Sequence, residues 1–220
     1  MGMDRRSRLA RVILYVITGE RGGVEESVRI AARALSGGAD VIQLRKKEMA
    51  WRDQLRLGLR LRELTAEHGA LFIVNDHVDL AIACDADGVH LGQEDPDPVA
   101  ARSRLGFEGR LVGRSTHSLE QALGAVDQGV DYLGVGPVFA TPTKPGRAPV
   151  GLALVKEVAG AVDIPFVAIG GIDETNAESA FAAGAPAVAV VRAVWDAPDS
   201  RASAAALRSI GAFREQAAAR

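Results

Sequence analysis

Short apolar runs bounded by Gly, Asp or Pro alternate along this chain with longer stretches in which apolar residues recur every three or four positions. The short runs give eight candidate strands: Val12 to Thr18, Asp40 to Arg45, Leu71 to Asn75, Gly88 to Leu91, Leu111 to Ser115, Tyr132 to Val135, Phe166 to Ile169 and Ala187 to Val191. Between them, Ser27 to Leu35, Trp51 to His68 and Leu119 to Gln128 each carry one apolar face, and the tail does so through Ala206, Ile210, Phe213 and Ala217. A strand followed by an amphipathic helix is the repeating unit of a parallel sheet, and eight such units close a barrel. The pattern predicts an α/β fold, a (β/α)8 TIM barrel forming one domain over residues 1–220. Gly37-Gly38-Ala39-Asp40, Gly129-Val130-Asp131 and Gly184-Ala185-Pro186 each end a helix and introduce a strand, which makes a weak repeat with no linker or low-complexity break.

Length and composition agree with that picture. A chain of 220 residues is ordinary for one barrel, and a net charge of −2 with 25% charged residues leaves no basic face for nucleic acid. Arg5, Arg6, Arg8 and Arg11 before Val12-Ile13-Leu14-Tyr15-Val16-Ile17 imitate a signal peptide, but Gly19-Glu20-Arg21 follows where a small-residue cleavage site would stand. The segment reads as a loose basic lead and a first strand. With no run near the ~20 apolar residues of a membrane span, a cytoplasmic location is expected. The lone Cys84, in Leu80-Ala81-Ile82-Ala83-Cys84, reads as a buried structural thiol.

In a parallel barrel the chemistry sits on loops after the strands, and polar clusters stand there. Gln43, Arg45 and Lys47 lie two apart, so an extended chain puts an amide and two cations on one face. Arg and Lys there suit phosphate oxygens. The alternative is a charged strand edge solvated by Lys46 and Glu48, which leaves Arg45 and Lys47 to repel each other. Asp76 and Asp95 follow the third and fourth strands. Two such carboxylates suit Mg2+, which takes one or two of them plus water and substrate phosphate; capping of the following helices is the alternative. His68, His77, His90 and His117 form no zinc motif, and His90 reads best as a core histidine. Thr141-Pro142-Thr143-Lys144-Pro145-Gly146 reads as a phosphate-binding lid or else a Pro-rich turn, and Gly170-Gly171 with Val190-Val191-Arg192-Ala193 suits close backbone approach to a phosphate.

Taken in order, Gln43-Leu44-Arg45-Lys46-Lys47, Val74-Asn75-Asp76, Gly88-Val89-His90-Leu91-Gly92-Gln93-Glu94-Asp95, Thr141-Pro142-Thr143-Lys144 and Gly170-Gly171-Ile172 resemble the thiamine-phosphate synthase family from about Val12 to about Val194. The resemblance implies a transferase joining a hydroxymethylpyrimidine diphosphate to a thiazole phosphate with loss of pyrophosphate. It assigns Gln43, Arg45, Lys47, Asn75, Ser115 and Lys144 to the pyrimidine diphosphate, with Arg45, Lys47, Ser115 and Lys144 acting in catalysis. It assigns Asp76 and Asp95 to Mg2+, and Thr141, Thr143, Gly171, Val191 and Arg192 to the thiazole phosphate. Arg192 departs from a family pattern that has a small Ser there. The rival readings are a thiazole tautomerase on the same scaffold, a non-catalytic thiamine-phosphate sensor and a sugar-phosphate isomerase or epimerase. The first needs no diphosphate-binding metal, the second an effector domain and the third an acid/base pair. The expected partners are small-molecule substrates, neither nucleic acid nor membrane, with a homo-oligomer compatible with the sequence.

Overall fold

The computed structural model describes residues 4–106, 109–141 and 148–218. In chain order the elements are α1 (Arg5–Leu9), β1 (Leu14–Ile17), α2 (Val24–Ser36), β2 (Val41–Leu44), α3 (Trp51–Glu67), β3 (Leu71–Asn75), α4 (Val78–Ala83), β4 (Gly88–Leu91), α5 (Pro98–Leu105), β5 (Leu111–Thr116), α6 (Leu119–Asp127), β6 (Tyr132–Val135), α7 (Gly151–Ala161), β7 (Phe166–Ile169), α8 (Ala177–Ala182), β8 (Ala187–Val190), α9 (Arg192–Trp195) and α10 (Ser200–Ala218). The eight strands pair in sequence order, all parallel, and β8 closes on β1. This is the expected (β/α)8 barrel.

Each strand is buried on both faces, which explains its nearly unbroken apolar run. The alternation sorts side chains into two cores. Leu14, Val16, Ile42, Leu44, Phe72 and Val74 point outward against the helices. Tyr15, Val41, Leu71, Leu111, Tyr132 and Ala187 fill the barrel. Within the apolar interior Tyr15 and Tyr132 bring hydroxyls into the barrel, and Gln43 and His90, nearer their strand C-termini, take inward positions above them.

The basic lead is a correction to the sequence reading. Arg5–Leu9 form a helix capped by Asp4, and its Leu9, with Val12, joins the apolar cluster inside the barrel. Arg5 pairs with Asp87 and Arg6 with Asp131, both at 2.8 Å. Asp40, Asp87 and Asp131 stand before β2, β4 and β6 and accept backbone N–H groups of Leu14, Phe72 and Val112. The repeat seen in sequence before β2 and β6 is thus a device that joins odd and even strands at the barrel bottom. Cys84 is buried where Gly58 of α3 leaves room for its sulfur, and burial pushes its thiol up to about 11. Among the described residues no helix is long and apolar enough to cross a membrane.

Candidate active site

At the C-terminal ends of the strands the barrel encloses a cavity of about 470 Å3. Gln43, Arg45, Asn75 and Ser115 line it from β2, β3 and β5, and Thr141, Gly171, Val191 and Arg192 line it from the loops after β6, β7 and β8. Gln43, Arg45, Asn75 and Ser115 of one assigned set and Thr141, Gly171, Val191 and Arg192 of the other therefore share one chamber. Thr143 and Lys144 lie outside the described residues.

Gln43, Arg45 and Lys47 do not converge as their spacing predicts. Strand β2 stops at Leu44, and the two cations diverge. Arg45 lines the cavity and approaches Glu20 at 3.7 Å, while exposed Lys47 faces Asp76 at 3.5 Å, outside the cavity lining. Each cation has a carboxylate beside it, so their mutual repulsion is relieved within the protein. Lys46 does not solvate the strand edge either. Its ammonium is buried, donates to the carbonyls of Arg21 and Gly22 at 2.7 and 2.9 Å and sits over the Trp195 ring. It ties the loops after β1 and β8 together.

Asp76 and Asp95 come together beside the mouth, close enough for each carboxyl to act on the other's titration. Burial, then the hydrogen bond and charge of Asp95, push Asp76 up to about 6. At Asp95 burial acts in the same upward direction, but the Asp76 contact, the Gly92 N–H at 2.6 Å, Lys47 and Arg114 outweigh it and hold the carboxyl below the usual range. Neither residue caps a helix, contrary to the alternative reading. The cap of α5 is Asp97, which accepts from Val99 N–H at 2.8 Å, and His77 occupies the cap position of α4. Paired carboxylates hold a proton or a cation between them, and this donor set fits a hard divalent ion. No cluster of three or more His, Cys, Asp or Glu is placed for a metal among the described residues.

Below the cavity a hydrogen-bonded chain crosses the barrel. Gln43 Nε2 donates to the Tyr15 hydroxyl at 2.7 Å, the Tyr15 and Tyr132 hydroxyls are 2.9 Å apart, and Tyr132 meets His90 Nδ1 at 3.1 Å. His90 Nε2 then meets Ser115 Oγ at 2.9 Å. His90 is buried as expected, yet it also lines the cavity.

On the opposite wall the segment after β6 runs along the end of β7, with Val138 N–H on Ile169 O and Phe139 N–H on Gly170 O. Gly170 and Gly171 have φ of 101° and 66°, and a Cβ on Gly171 would stand 2.6 Å from Ala140 O. The diglycine is required by this close packing and by its backbone conformation. Arg192 opens the short helix α9 and is exposed.

A model of the family described as thiamine monophosphate synthase matches residues 14–194, the span from β1 into α9. The chain belongs to that family. It is 52% identical over 198 residues to a thiamine-phosphate synthase of Gloeobacter violaceus, covering 90% of this chain but 57% of that longer protein. A Thermus thermophilus thiamine-phosphate synthase is 48% identical, with 89% of this chain and 95% of that one covered. Among solved structures, thiamine phosphate pyrophosphorylase from Pyrococcus furiosus superposes with a TM-score of 0.84 at 40% identity, over 93% of this chain and 98% of that one.

His117, two residues after Ser115 and given no role in the sequence reading, lines the cavity with Nδ1 on the Gly136 carbonyl, and the unflagged Gly134, Gly136 and Pro137 form the wall beside it. Glu20 was also missed, although it accepts the Lys47 N–H at 3.1 Å and stands near Arg45. Its signal in the sequence was faint, a single acid after β1.

Proposed function

We propose that this chain is a thiamine-phosphate synthase, a transferase that joins 4-amino-2-methyl-5-hydroxymethylpyrimidine diphosphate to 4-methyl-5-hydroxyethylthiazole phosphate and releases pyrophosphate. The observation that carries the reading is the single chamber in which Gln43, Arg45, Asn75 and Ser115 face Thr141, Gly171, Val191 and Arg192. It supports a reaction between two bound halves, since a binding module for either half alone needs only one of these walls.

Loss of pyrophosphate from the methylene on an electron-rich aminopyrimidine leaves a stabilised carbocation, which the thiazole nitrogen then attacks. The C–O bond breaks with its electron pair going to pyrophosphate, and the N–C bond forms from the nitrogen lone pair. No protein nucleophile or base is needed. The protein's work is to hold both halves in line and to meet the negative charge that grows on the leaving group. Arg45 and Lys47, with Ser115 as a neutral donor, are assigned that task, and Gln43 and Asn75 hold the pyrimidine half. Lys144 and Thr143 are assigned by family resemblance alone, to the diphosphate and the thiazole phosphate respectively. Thr141, Gly171, Val191 and Arg192 border the thiazole phosphate. Asp76 and Asp95 would hold Mg2+, which supplies positive charge to the diphosphate oxygens when bound.

Incubating the purified chain with both half-substrates and Mg2+ tests the assignment. Pyrophosphate released in step with thiamine phosphate is expected. Release of neither, from folded protein, overturns the reading.

A further inference from the structure

The buried chain from Gln43 to Ser115 has a direction. A side-chain amide nitrogen only donates, so the Tyr15 oxygen accepts from Gln43. Burial holds both phenols neutral, which leaves one proton on each. The Tyr15 proton then has Tyr132 as its acceptor, and the Tyr132 proton has His90 Nδ1. Running the chain the other way would aim the buried Tyr15 proton at an NH2 group, leaving a donor without an acceptor.

We propose that Tyr15, Tyr132 and His90 are positioning residues that fix His90 with its proton on Nε2, so that Ser115 accepts from His90 and turns its own O–H towards the ligand. This deepens the synthase reading, on which the role of that O–H rests. An outward hydroxyl proton meets negative charge growing on the departing pyrophosphate, whereas a hydroxyl donating to His90 would present only lone pairs. The barrel is shaped for the arrangement. A Cβ on Gly113 would stand 2.2 Å from Tyr132 Cζ and 2.7 Å from His90 Nδ1, and one on Gly134 would stand 3.2 Å from His90 Cε1. Both inner positions are kept empty for the two rings. None of the three positioning side chains needs to change charge during turnover.

Nitrogen-15 NMR of labelled histidine tests the polarity directly and needs no substrate. Wild-type His90 is expected as the Nε2–H tautomer, with Nδ1 carrying the shift of an unprotonated nitrogen. Tyr132→Phe keeps the ring and removes the link, so His90 should lose that tautomer preference. In the same variant kcat for pyrophosphate release should fall about 10- to 100-fold, the scale of a misplaced catalytic group, with KM for the thiazole phosphate unchanged. Ser115→Ala should lower kcat by itself, and adding Tyr132→Phe should then cost little more, because both act through one hydroxyl. Tyr15→Phe leaves the Tyr132 proton with His90 Nδ1 as its acceptor, so the tautomer should persist there, and if Tyr132→Phe does not fold the wild-type tautomer still decides the polarity. A wild-type His90 protonated on Nδ1 overturns the proposal, and so does a folded Tyr132→Phe with wild-type kcat. The tautomer reads the same whether or not the wild type releases pyrophosphate, so failure of the synthase reading is told apart from failure of the polarity.

Discussion

Asp76 joins a left-handed backbone, φ 63°, to a carboxyl that burial and Asp95 push up to about 6. Aspartate tolerates that conformation better than most residues, yet such strain is typical of functional positions. The sign of the shift gives a prediction. Below about pH 6 the pair keeps a proton that a cation must displace, and above it the pair is free to bind. Calorimetric titration with Mg2+ should therefore show weaker binding at pH 5.5 than at pH 7.5, and Asp76→Asn should weaken binding at both while flattening the difference. Asp76→Asn and Asp95→Asn should each cripple pyrophosphate release, with the double variant no worse than either, since the carboxylates act as a unit. Full turnover by the double variant in chelator would remove the metal from these residues. Arg192 leads to a contrasting expectation. It is exposed, and its long stem can turn to solvent, so Arg192→Ser should leave thiazole-phosphate affinity nearly unchanged. A tenfold rise in Kd would place the guanidinium on the phosphate.

Among the elements, β5 and β6 matter through what they omit. Gly113→Ala puts a methyl group within 2.2 Å of Tyr132 Cζ, and neither ring can retreat inside a filled barrel. Overpacking of this kind costs about 1–3 kcal/mol, read as a lower midpoint in denaturant, and pyrophosphate release should fall further than stability alone explains because the Tyr132–His90 contact moves. Leu71–Asn75, Gly88–Leu91, Tyr132–Val135 and Phe166–Ile169 were legible in sequence to the residue, because strands buried on both faces read as bounded apolar runs. Helices α4, α5, α7 and α8 were not. The α7 run Gly151–Ala161 is apolar almost throughout, so it shows no period, and the six-residue α4 and α8 are too short to repeat a face. The chamber was legible where a motif names a residue that lines it, as at Gln43 or Ser115. It was not where a residue works through another. Tyr15 and Tyr132 sit within apolar strands and read as core, because nothing local to either strand reveals that their hydroxyls meet across the barrel.

At the scale of the whole molecule the two ends of the barrel have different work. The bottom is held by Asp87 and Asp131, each buried and each shared by two arginines, Arg5 and Arg62 on the first, Arg6 and Arg102 on the second. Replacing Arg5 and Arg6 together with Ala removes one part-exposed ion pair from each carboxylate, worth up to about 1 kcal/mol apiece for such contacts, and thermal unfolding should come at a slightly lower temperature. KM and kcat should stay put, because the change is at the far end from the chamber. An altered KM for either half-substrate would mean that the two ends communicate. The plug of Leu9 and Val12 beneath the apolar lower layers has a kinetic side as well. A chamber stopped at one end is a cul-de-sac. Both halves would have to arrive, and both products leave, by the open end. Turnover is then a matter of queueing as much as of bond making, and a lingering product blocks the next arrival simply by standing in its path.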